Sequence, residues 1–175
     1  HGSLWAADDW QVLTAETATA TAGVKLQPAS DGALMAHSPK PGPTTYTITT
    51  ALSAGTLAAL RLEVLPHKSL PEHGPGRAAN GNFILSHFKA AIRPAAGKAI
   101  PVRFQWAGAD YEQNGWGIDH ALSGKDPERG WAVSGAQGKA HTATFVLAAP
   151  FEIQAGTKLE VQLVQSSKRW ADHTI

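Results

Sequence analysis

Residues 158–163 read KLEVQL, with Leu159, Val161 and Leu163 alternating against Lys158, Glu160 and Gln162. An extended chain with this period of two has one apolar face and one wet face, whereas an amphipathic helix needs apolar spacings of three and four. The same pattern recurs outward from this run. Phe145 and Leu147 alternate with Thr144, and Val102, Phe104 and Trp106 with Arg103 and Gln105. Leu60, Leu62 and Val64 alternate with Arg61 and Glu63, and Tyr46 and Ile48 stand between threonines over residues 45–49. Turn clusters separate the runs: SPKPGP at 38–43, PEHGPGRAANGN at 71–82, RPAAGKAIP at 93–101 and SGAQGK at 134–139. Short strands with such punctuation predict an all-β fold, an antiparallel β-sandwich. Residues 118–122 are the exception, predicted as one helical turn with Asp119 near its start.

The 175 residues, 43% hydrophobic, suffice for one domain with its own core. Fifteen Lys and Arg against fourteen Asp and Glu leave a net charge of +1, and no run of basic residues is longer than the pair Lys168 and Arg169. Phosphate neutralisation needs a basic patch, so nucleic acid is not an expected partner. The apolar runs are strand-sized, so no membrane span is expected. With no cysteine, a disulfide framework, a thiolate metal site and covalent haem attachment are excluded within these residues. His1, Gly2 and Ser3 read as the remnant of an expression tag. Residues 4–175 then read as a single domain excised from a larger protein.

No GxSxG, HExxH, Walker or GxGxxG pattern appears, and the expectation is a protein without catalytic activity. His67 and His73 flank Glu72 but lack the regular spacing of a metal site, and His87 and His141 read as structural histidines in strands. Six tryptophans are many for this length. An indole presents an apolar face to a sugar ring and a donor to its hydroxyls. Trp10, Trp106 and Trp131 border or end apolar runs and are expected in the core. Trp116 sits among polar residues and glycines in YEQNGWGID, where it forms with Tyr111, Gln113 and Asn114 the candidate carbohydrate platform. The loop of residues 66–82 is stiffened by prolines and glycines. Its Arg77 is expected to pair with Glu63 or another carboxylate, or to contact an anionic sugar. Asn80 and Asn82 either tie this loop to the sheet or, with Asp119, offer oxygens to Ca2+.

The runs LRLEVLPHKSLPEHGPGRAANGNFILSHF, ADYEQNGWGIDHALSGKDPERGWAVSG and HTATFVLAAPFEIQAGTKLEVQLVQ resemble a known sequence region. It is the non-catalytic β-sandwich region of large planctomycete and verrucomicrobial proteins that also carry a planctomycete-type cytochrome c and DUF1549 and DUF1553 regions. The likeness runs from about Trp10 to the C-terminus. It implies a jelly-roll sandwich similar to discoidin-like and family-32-like carbohydrate-binding modules. It also implies a periplasmic, cell-envelope or secreted location, a polysaccharide or oligosaccharide ligand, and a structural Ca2+ in many relatives. Haem would be held by another domain of the parent protein, which becomes a candidate docking partner. This chain departs from the relatives at His87, where LSHF stands for LSEF, and at IDHALSG, which keeps Asp119 but displaces the glycine of an AIDG-type segment. A last GRFRLS-like strand is also missing after His173, Thr174 and Ile175.

Overall fold

The KLEVQL run lies at the centre of a sheet. In the computed structural model, which describes residues 9–175, it falls in β10 (Lys158–Gln165); the supposed tag remnant at residues 1–3 lies outside the described residues. Here β10 pairs antiparallel with β4 (Thr44–Ala51) on one side and with β6 (His87–Arg93) on the other, so that Leu163 stands opposite both Tyr46 and Phe88. The sheet is completed by β1 (Thr17–Ala20) on β4 and β7 (Ile100–Pro101) on β6. A second sheet contains β5 (Gly55–Val64), β9 (His141–Ile153) and β8 (Phe104–Ala109), in that spatial order. A hairpin of β2 (Lys25–Pro28) and β3 (Leu34–His37) stands apart from both, and every strand pairing is antiparallel. The predicted helical turn is α1 (Ile118–Ser123). The protein is therefore mainly β, with one short α-helix among the described residues, and neither sheet closes into a barrel.

Alternation fixes which side chains meet between the sheets. The larger sheet buries Tyr46, Phe88, Ile92, Leu159 and Leu163; the smaller buries Leu60, Val64, Ala143 and Phe145. Phe88 stacks on Phe145 at 3.9 Å between ring centroids and 8° between planes, and Phe104 tilts against both at 5.6 Å. Each such ring contributes roughly 1.5–3 kcal/mol by leaving water, and an aromatic pair adds about 0.5–1.5 kcal/mol.

The long loop is ordered by burial. Asn82, Phe83, Ile84, Leu85 and Ser86 are all buried. The run FILSHF is not one strand: Leu85 exchanges both backbone bonds with Trp131, Ser86 N–H bonds Val164, and β6 begins only at His87. Gly76 lies so close to the loop's return that an added Cβ would stand 1.9 Å from the Asn82 carbonyl oxygen, an approach only glycine allows.

Three expectations need correction. Arg77 does not pair with Glu63, which Arg61 holds at 3.2 Å; Arg77 Nη2 donates instead to the Ser38 hydroxyl at 2.6 Å. Trp10 is not in the core: it is partly exposed beneath the Arg61 guanidinium, 4.6 Å from its ring centroid. Trp106 is 47% exposed. The cause is a register shift between Phe104 and Trp106, with Phe104 opposite Leu147 but Trp106 opposite Val146. One extra residue in a strand sends everything beyond it to the other face.

Candidate functional site

Tyr111, Gln113, Asn114 and Trp116 gather at a turn in which Gln113 and Trp116 bridge each other, with Trp116 N–H donating to the Gln113 carbonyl at 2.8 Å. Most of their polar atoms point inward. The Tyr111 hydroxyl donates to the Ser134 carbonyl at 2.9 Å, and Gln113 Oε1 accepts from Asn82 Nδ2 at 3.1 Å and from Ser134 N–H at 3.3 Å. Trp116 is half-buried, and the Arg129 guanidinium lies 4.9 Å above its ring, anchored by a bond from Nη1 to the Gly115 carbonyl. Asn114 is exposed. The turn thus offers an amide and a guanidinium to a ligand, with one indole face covered by an arginine.

Arg77 does not join this group. It bonds Ser38, and its backbone N–H donates to the Thr174 carbonyl. The oxygens considered for calcium are largely committed to the protein. Asn82 Oδ1 accepts from Val133 N–H at 2.9 Å, and Asn80 Oδ1 accepts from Asn82 N–H at 3.1 Å. Asp119 is exposed in the first turn of α1. Among the described residues no group of three or more His, Cys, Asp or Glu side chains could hold a metal ion. A cation needing six to eight oxygens does not fit this set. His87 packs its ring where a Cβ on Gly124 would be, and burial and then the Lys89 charge hold its pKa below the usual value. His141 is buried between the Asp110 carboxylate and the Ala136 carbonyl, at 3.1 and 2.7 Å.

The outer face of the smaller sheet holds a residue the sequence reading missed. Trp106 leans along β8 so that the outer edge of its six-membered ring rests on Gly108; a Cβ there would come within 2.2 Å of Cη2. Across the strands, Val146 and Ala59 continue the row of Trp106, while Thr144 and Arg61 continue that of Gly108. The exposed indole therefore shares this sheet face with Thr144 in the next strand and, one strand further, with Arg61, whose guanidinium pairs with Glu63 and covers Trp10. The signal was present in WAG at 106–108: a glycine two residues on, on the same strand face, makes room for the ring.

Comparison with protein-family models, curated proteins and solved structures gives no match. No helix among the described residues is long and apolar enough to cross a membrane.

Proposed function

We propose that this domain is a non-catalytic carbohydrate-binding module, a jelly-roll β-sandwich of discoidin-like type, that tethers a cytochrome-associated envelope protein to polysaccharide. The two sheets packed through Phe88 and Phe145 support the sandwich reading. The single observation that carries the function is Trp106, exposed on an ordered sheet face beside Thr144 and Arg61. A ring held in place against Gly108 loses little freedom when a pyranose stacks on it, and the polar row can bond the hydroxyls. The turn at Trp116 is the secondary contact, through Asn114 and Arg129.

Affinity electrophoresis against a polysaccharide panel tests this, with Trp106→Ala and Trp116→Ala beside the parent. Trp106→Ala should weaken binding by about tenfold or more, in line with truncation of an aromatic anchor, without changing the far-ultraviolet spectrum. A folded parent that binds no glycan, or equal binding after Trp106→Ala, would overturn it. The apolar row of Trp106, Val146 and Ala59 favours a second reading, a docking face for the haem-bearing domain. Sedimentation of the mixed domains as one species, lost in Trp106→Ala, would distinguish it.

A further inference from the structure

The smaller sheet has three strands and faces a sheet of five. Ile48, Val161 and Leu62 show what this leaves uncovered. By alternation each points into the interior between two buried neighbours, Tyr46 and Thr50, Leu159 and Leu163, and Leu60 and Val64, yet these three are only half-buried. They line a cavity of about 360 Å³ that continues into a groove of about 760 Å³; the two share Leu13, Leu60 and the hairpin turn at residues 31–33. Which part of each strand borders this space follows from the spacing of its lining residues. Over 46–50 and 159–163, β4 and β10 contribute every second residue, and so turn one face to it. From β5 every residue between Gly55 and Val64 takes part, odd and even alike, so this strand meets the space with its edge. β5 bonds to β9 alone, and its other edge makes no backbone hydrogen bond among the described residues. Neither proline nor lysine, the common guards of an open edge, occurs in β5.

An apolar space alone does not name its occupant, but a row of open N–H and C=O groups along it does: it fits another extended chain. Every second side chain of that chain would fall on Ile48, Leu62 and Val161 and must be apolar, while those between face water. A second copy pairing through its own β5 would bring β9 with it, into the space held by the hairpin turn and Leu13. The groove therefore suits a single strand. We propose that the free edge of β5 binds an extended peptide segment of a partner protein, apolar at every second residue, as a fourth strand of the smaller sheet. At about 3.3 Å per residue, the open edge takes roughly six to eight residues. The site lies at the opposite edge of the smaller sheet from Trp106 in β8, and it does not depend on the glycan reading.

Calorimetry and amide hydrogen exchange of the folded domain with three end-blocked peptides test the proposal. The first alternates threonine and valine over about seven residues, the length the edge admits, and is flanked by lysines; the second has proline at its centre; the third has serine for each valine. Proline removes a donor and the strand geometry, and serine removes the apolar face, so each should bind about tenfold more weakly than the first, or worse. The β5 amides that do not bond to β9 should exchange quickly in the domain alone and about tenfold more slowly, or better, with the first peptide bound. Val161→Phe fills the space from the opposite sheet and leaves the β5 backbone untouched. It should weaken the first peptide about tenfold while the far-ultraviolet spectrum and the exchange of β9 stay as in the parent. Equal affinity for the three peptides, no binding by a folded domain, or protection of those β5 amides in the domain alone, through a dimer seen in sedimentation, would overturn the proposal.

Discussion

Asn82 uses its side chain to join three segments: Oδ1 accepts from Val133 N–H, and Nδ2 donates to Gln113. Asn82→Ala removes both contacts in a buried place and strands the Val133 N–H. It should cost about 1–3 kcal/mol, read as a lower urea midpoint with an unchanged slope. The sequence offered two roles for this residue, a loop tie or a cation ligand, and only distant partners decide between them. Val133 is 51 residues away and Gln113 is 31. Nothing local to Asn80-Gly81-Asn82 encodes either. Trp131 was legible as core because its neighbours in WAVS are apolar, and it is fully buried.

At the scale of elements, Glu128 clamps the segment that follows β10. Its carboxylate accepts from the Arg169 and Lys168 amides and the Ser167 hydroxyl, at 2.9 to 3.1 Å. These bonds, the Arg169 amide first, hold its pKa below the usual 4.5. A carboxyl group lowered on folding stabilises the folded state fully above its unfolded value, and that stabilisation fades as the pH falls through the lowered folded value. Protection of the Lys168 and Arg169 amides, measured relative to their intrinsic exchange rates, should therefore be high near neutrality and fall selectively on acidification below about 4.5. Glu128→Gln should show the lower protection already at neutral pH. Strands were the most legible elements, since KLEVQL, LRLEV and TYTIT each form one. The bulge in β8 was not legible. It reverses the face of Trp106 without changing the apparent alternation of Val102, Phe104 and Trp106, and its cause lies in the pairing with Leu147 and Val146.

For the molecule as a whole, the Phe88–Phe145 stack is one of the contacts through which the larger sheet meets the smaller. Phe88→Ala should cost about 3–5 kcal/mol and lower the thermal midpoint, with near-ultraviolet and far-ultraviolet signals lost together because the sheets share one core. Survival of one sheet after loss of the other would contradict this. The order of strands in the larger sheet bears on how the fold is reached. Its middle strand, β10, is the last to be synthesised among the strands described, and β4 and β6 each bond to it and not to each other. Until that strand leaves the ribosome, both neighbours present bare hydrogen-bonding edges to the cell, the kind of surface on which nascent chains stick to one another. A translation product that stops short of this strand would thus be a species for chaperones or proteases, since the larger sheet lacks its middle until β10 has been made.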